Sequence, residues 1–159
     1  MGIKIRQALT SDVDGIFIVR TSVIENHLSR EEMRQMGITE TVVAGMLEQY
    51  RCAWVAVDNA AIVGLSMILP DEGCLFAAFV LPDYESQGIG RRLVIPAEEE
   101  LFKRHECIWL ETEKNSRAVK FYKHLGWGNE TDVDEVDVRL EKRKGRRAEA
   151  KEKNSEVIL

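Results

Sequence analysis

The chain has 159 residues, 45% hydrophobic and 31% charged, with a formal net charge of −5. This describes one ordinary globular domain, able to bury a core without disulfide or metal staples. The acidic balance speaks against nucleic-acid binding as the main task, and no apolar run reaches the ~18 residues of a membrane span.

Ile3 and Ile5 alternate with Lys4 and Arg6, the period of a short strand. No signal-peptide core precedes them, and Arg6 stands where a myristoylation site wants Ser or Thr, so the expected compartment is the cytoplasm. Thr10-Ser-Asp12 reads as a helix start. Val13, Ile16, Phe17 and Arg20 follow at helical spacing, which predicts a first helix to about His27. A polar stretch, residues 29–37, interrupts. Thr39 reads as the N-cap of a second helix with the stripe Val42, Val43, Met46, Leu47 and Tyr50.

Residues 53–57 and 62–69 are β-type runs around the hairpin signal Asp58-Asn59. Residues 73–81 form a continuous apolar run ended by Pro82, the pattern of a central strand buried on both faces. A third helix starts near Gly88 and carries Leu93, Val94, Ala97, Leu101 and Phe102. Pro96 inside it should weaken or bend it. Residues 107–110 read as a strand, and 115–125 as a helix closed by Gly126. Val136, Val138 and Leu140 mark a last strand, with a short one over 127–130. The order is β-α-α-β-β-β-α-β-α-β in one domain over residues 1–140. Residues 141–159 are charged and read as a solvated extension. Trp54 and Trp109 are expected in the core, and Trp127 against the sheet.

Cys52, Cys74 and Cys107 are odd in number and include no Cys-x-x-Cys pair, as for reduced core residues. His27, His105 and His124 lack metal-ligand spacing, so no metal is expected.

Two segments carry chemistry. In Phe79-Val-Leu-Pro-Asp-Tyr-Glu-Ser-Gln-Gly-Ile-Gly-Arg-Arg92, a strand turns through glycines into a helix. Unpaired N–H groups at that helix start, approached closely across glycine, make a cradle for a phosphate or pyrophosphate. A P-loop is absent, and Gly88-Ile-Gly90 sits mid-chain, the wrong place for a dinucleotide fingerprint. On the last helix Asn115, Ala118 and Tyr122 are spaced i, i+3, i+7 and form a stripe unlike core; Val119, Phe121 and Leu125 form the core-like face.

Pro82-Asp-Tyr-Glu-Ser-Gln-Gly-Ile-Gly-Arg-Arg92, followed by Asn115-x-x-Ala-x-x-Phe-Tyr-x-x-x-Gly-Trp127, resembles the GNAT family of N-acetyltransferases, in particular its small bacterial members. The resemblance covers residues 3–140. It implies an α/β (α+β) fold with a mixed, mainly antiparallel sheet whose central strands splay apart around acetyl-CoA. By this resemblance the backbone of Phe79, Val80 and Leu81 would bond the pantetheine. The amides of Gln87, Gly88, Ile89, Gly90, Arg91 and Arg92 would hold the pyrophosphate. Asn115 and Ala118 would border the pantetheine arm, and Tyr122 would stand beside the sulfur. One departure is Glu85, where the family signature has Gln or Arg; its carboxylate should point away from the anion.

The implied reaction is direct transfer of acetyl from thioester to a primary amine, with Tyr122 protonating the thiolate and a backbone N–H near Val80 stabilising the oxyanion. For the base, Glu111, Glu25, His27 and a water relay all remain candidates, and Glu25 and His27 also lie where the family builds its acceptor pocket. The implied partner is a small-molecule or peptide amine, with no nucleic acid and no membrane. A homodimer is in keeping with the family. The alternative is a catalytically silent acyl-CoA sensor.

Overall fold

Alternating apolar side chains are buried most simply by pairing strands, and this chain pairs seven of them into one sheet. The computed structural model describes residues 2–24 and 26–145. The strands are β1 (Lys4–Gln7), β2 (Ala53–Asp58), β3 (Ala61–Leu69), β4 (Cys74–Val80), β5 (Cys107–Glu113), β6 (Gly128–Asp132) and β7 (Asp137–Arg143). Their spatial order is β1-β2-β3-β4-β5-β7-β6. Neighbours are antiparallel except β4 and β5, which are parallel. The helices are α1 (Val13–Thr21), α2 (Arg30–Gln35), α3 (Glu40–Gln49), α4 (Ile89–Phe102) and α5 (Arg117–His124). The sheet is the mixed, mainly antiparallel one expected.

Side chains alternate across β3. Leu65 and Met67 look toward α1, while Ser66 on the opposite face donates from Oγ to the Leu93 carbonyl of α4 at 2.8 Å. The buried core therefore has two layers, one on each face, with Trp54, Ile68, Leu93, Leu101, Ile108, Leu110 and Leu140 among its members. Helix α4 runs unbroken through Pro96, one turn after the Leu93 carbonyl that Ser66 holds.

The join between β4 and β5 matters most. Cys74 and Trp109 are aligned there, and the Trp109 N–H donates to the Gly73 carbonyl at 3.0 Å. Past that point no further pair is aligned among the described residues, so the strands separate toward Val80 and Glu113. A β-bulge at Phe76, between the pairs Ile68–Leu75 and Met67–Ala77, adds twist to β4 at the start of the gap.

Several expectations change. Strand β4 is buried at Cys74 and Leu75 alone and is half-exposed onward, because it lines the gap instead of continuing a ladder. Helix α1 stops at Thr21, short of His27: Thr21 Oγ1 and Ser22 Oγ donate to the Phe17 and Ile18 carbonyls at 2.9 and 2.6 Å and close its last turn. The polar stretch 29–37 contains α2. Its N-terminus is a capping box, in which Ser29 Oγ accepts from the Glu32 N–H and Glu32 accepts from the Ser29 N–H, both at 3.0 Å. Asn115 precedes α5 in a left-handed conformation (φ 59°), and Ser116 is the cap. Trp109 is half-buried, its Nε1 donating to the Glu72 carbonyl at 2.9 Å. Strand β7 runs to Arg143, three residues into the charged stretch, and Lys142 Nζ meets both Glu98 and the Leu125 carbonyl at 2.7 Å. The rest of the expected extension, residues 146–159, lies outside the described residues.

Candidate active site

The parting of β4 from β5 opens a cleft with a cavity of about 500 Å³. One wall is strand β4. Here the Leu81 N–H donates to the Val63 carbonyl of β3 at 2.8 Å, and the Phe79 carbonyl also faces β3, beside Gly64. Backbone groups alternate sides along a strand, so the N–H and C=O of Val80 face the cleft. Of the three residues expected to offer backbone there, Val80 does so, while Leu81 is committed to the sheet.

The floor is the turn into α4. Ser86 and Gly88 are both left-handed (φ 64° and 79°), and Gly88 is the N-cap of α4. The first bond of that helix runs from the Arg92 N–H to the Gly88 carbonyl at 3.3 Å, which leaves the preceding amides without helical partners. A Cβ on Gly90 would stand 3.3 Å from Cζ of Phe121, so glycine there lets α4 and α5 approach. No acidic residue lies in the first turn of α4. Helix dipole and amides together favour an anion at this point. Glu85 lines the cleft, contrary to the expectation that it turns away; its carboxylate accepts twice from the Arg117 guanidinium, at 3.1 and 3.2 Å.

Phe79, Val80, Gly88, Ile89, Gly90, Arg91, Ala118 and Tyr122 all line the cavity. Four expected residues do not: Gln87 is exposed, Leu81 is turned to β3, Asn115 lies outside the helix and the cavity wall, and Arg92 donates to the Ile3 carbonyl at 2.8 Å. The stripe on α5 is thus reduced to Ala118 and Tyr122. Tyr122 is buried, with Phe121 and Trp127 edge-on at centroid distances of 5.0 and 5.8 Å. Burial first, and the charge of Glu98 second, hold its phenol well above the ordinary range, so it stays protonated at every physiological pH.

A second cavity of about 240 Å³ lies on the α1 and α2 side, walled mainly by apolar residues, Phe17, Met33, Met67 and Phe76 among them, with Arg20, Asn26, Glu111, Thr112 and Asp137 completing its lining. A third, of about 120 Å³, lies between the two. It shares Ala78, Phe79, Ala118 and Tyr122 with the large cavity, and Arg20, Phe76, Ala77 and Glu111 with the apolar one. Glu111 is an exposed residue of β5 and lines the two smaller cavities. His27 is exposed, with Nδ1 3.0 Å from the Val23 carbonyl, and lines none of the three. Glu25 lies outside the described residues.

Asn26, Arg20 and Arg117 line these cavities without being singled out by any motif in the sequence. Asn26 lines all three cavities and ties its loop to β5: its N–H donates to Glu113 at 2.9 Å, its Nδ2 to Thr112 Oγ1 at 3.2 Å, and its Oδ1 accepts from the Glu113 N–H at 3.1 Å. Arg20 did leave a signal, a charge in register with the apolar residues Ile16 and Phe17 of α1.

Burial pushes the Cys52 thiol up to about 11 and the Cys74 thiol to about 12, so both stay protonated and inert at neutral pH. Among the described residues no cluster of His, Cys, Asp and Glu has the makings of a metal site, and no helix is long and apolar enough to cross a membrane.

Residues 18–127 match the family described as the acetyltransferase (GNAT) family. The [ribosomal protein bS18]-alanine N-acetyltransferase of Escherichia coli K12 is 37% identical over 73 residues, which are 45% of this chain and 49% of that protein. The match thus spans about half the length of that curated relative. Among solved structures, a PaiA N-acetyltransferase from Thermoplasma acidophilum in complex with coenzyme A superposes with a TM-score of 0.72 at 19% identity, covering 90% of this chain and 99% of that one. A ribosomal-protein-alanine N-acetyltransferase from Brucella melitensis does so with a TM-score of 0.68 at 18% identity, covering 88% and 99%. These likenesses establish the fold.

Proposed function

The chain belongs to the acetyltransferase (GNAT) family, and from that premise we propose that it moves an acetyl group from acetyl-CoA directly to a primary amine. The observation that carries this reading is the cleft: an anion cradle at Gly88 and a buried phenol at Tyr122 border one cavity, with the inward backbone of Val80 on its wall. An elongated donor with a diphosphate at one end and a thioester at the other suits that arrangement. The coenzyme A complex of the Thermoplasma relative is in keeping with it.

Acetyl-CoA supplies an activated acyl group, and the residues do the rest. The amides ahead of Arg92 hold the diphosphate, with Arg91 at their side. The Val80 N–H lies ready to bond the oxygen that gains charge as the amine attacks. Tyr122 keeps its proton because it is buried, and offers it to the departing sulfur, which loses its own solvation in the same place. The amine must shed a proton, since a free alkyl ammonium has a pKa near ~10.4. Glu111 borders the cavity next to Tyr122 and is the described carboxylate best placed to take it through water. Glu25 remains a candidate in this role.

A bacterial cytoplasmic setting belongs to this reading, supported by the bacterial sources of the sequence relatives. The test is thiol release from acetyl-CoA with a panel of amines, alongside calorimetric titration of acetyl-CoA. Amine-dependent thiol release with acetylated product supports transfer. Binding without product from any amine replaces it with the silent acyl-CoA binder, and absence of binding removes both.

A further inference from the structure

Arg20 sits in the last turn of α1 with its guanidinium over the Phe79 ring, 4.1 Å from the centroid. Its Nη1 is buried and has no hydrogen-bond partner among the described residues. No carboxylate forms an ion pair with it there either. Burial lowers its pKa to about 10, which still leaves it charged at neutral pH. The residue as a whole is half-buried, and a buried, unpartnered guanidinium nitrogen on it is costly and calls for an explanation. The surroundings supply one. Arg20 lines both the apolar cavity and the small one that reaches Tyr122.

We propose that Arg20 is the specificity residue of the acceptor site, and that the acceptor is a free amino acid with an apolar side chain, held by its carboxylate. This rests on the proposed acetyl transfer and names its substrate class. A guanidinium fork matches a carboxylate in two parallel hydrogen bonds, and the Phe79 ring beneath it holds the guanidinium in place by a cation–π contact. The apolar side chain fits among Phe17, Met33, Met67 and Phe76. The amino group, one carbon from the carboxylate, then falls at the small cavity beside Tyr122 and Glu111. A peptide N-terminus has no carboxylate at that distance and leaves Arg20 unpaired.

The experiment is calorimetric titration of the protein, in the presence of coenzyme A, with L-methionine, L-leucine and L-phenylalanine and with their carboxamides. The acids should bind about tenfold or more tightly than the amides, the scale of a charge-assisted pair. Arg20→Met should erase that preference, and Arg20→Lys should restore part of it as a point charge without the fork. Equal binding of acids and amides, no binding of the acids, or a preference that survives Arg20→Met each overturns the proposal. If Arg20→Met fails to fold, the comparison of acid with amide in the unaltered protein decides alone. Titration of acetyl-CoA itself is a separate measurement, so failure of the carboxylate site is distinguishable from failure of acetyl transfer.

Discussion

The Glu85 carboxylate and the Arg117 guanidinium close on each other across the rim of the cleft, with both hydrogen bonds between 3.1 and 3.2 Å. The pair joins the turn before α4 to the first residue of α5 and puts a negative charge beside a cradle built for anions. Glu85→Gln removes that charge and keeps a polar side chain. Acetyl-CoA should bind about two- to tenfold more tightly in this variant, with the gain shrinking as salt is raised. Calorimetric titration at two ionic strengths measures it; an unchanged or weaker affinity would show that Glu85 does not oppose the ligand.

Tyr122→Phe should lower turnover about tenfold or more while acetyl-CoA affinity stays near that of the unaltered protein. Unchanged turnover removes the phenol from the chemistry. The same variant has a signature in stability. The folded protein holds this phenol above its ordinary pKa, through burial and then Glu98. Stability linked to it is therefore complete below the unfolded value of about 10 and drains away as the pH rises toward the folded value. Denaturant unfolding at pH 9, 10 and 11 should show a steeper decline in the unaltered protein than in Tyr122→Phe.

At Gly88 the constraint is conformation, since φ is 79° and a Cβ would meet no atom within 4 Å. Gly88→Ala should cost about 1–2 kcal/mol of stability through left-handed strain alone. Gly88→Glu adds charge and bulk to the cradle and should abolish acetyl-CoA binding. Normal affinity in that variant, by titration, would displace the diphosphate from the start of α4.

Asn26 combines a left-handed backbone, φ 56°, with three hydrogen bonds to β5. Asn26→Gly keeps the conformation and removes both side-chain bonds. The acceptor KM should rise about tenfold, and by more than any loss of acetyl-CoA affinity, because the loop borders both cavities proposed for the acceptor and loses its anchor. Steady-state kinetics with the acceptor varied reads this directly; an unaltered KM would make the tie to β5 purely structural.

Much of the fold was legible because periodicity is local. The hairpin at Asp58-Asn59, the glycine turn before α4 and the cap at Thr39 each announce themselves within a few residues, and Thr39 Oγ1 does accept from the Val42 N–H at 3.2 Å. Helix α2 was harder to see: beyond Met33 it has little apolar stripe, and its capping box is two polar side chains that also suit a loop. The half-exposure of β4 was invisible for another reason. An apolar run reads the same whether its neighbour is a strand or a gap, and the divergence of β4 from β5 is a property of both strands at once. Long-range partnerships such as Asn26 with Glu113, or Glu85 with Arg117, span 87 and 32 positions and leave no spacing to read. At the site, Tyr122 and Gly88 declared themselves as residue types in a pattern. Arg20 needed a cavity around it before its charge meant anything.

A gap between two strands in mid-sheet amounts to an edge folded inside the protein. The amides of Ala78 and Val80 turn into it, so in the empty protein they should trade hydrogens with solvent as an outer strand does, while that of Leu81, held by Val63, is protected. On the proposed function, a guest carrying its own amide groups would complete the ladder as a surrogate strand. Such a guest would read main chain, which would leave the side chains along β4 free to vary without erasing the docking line.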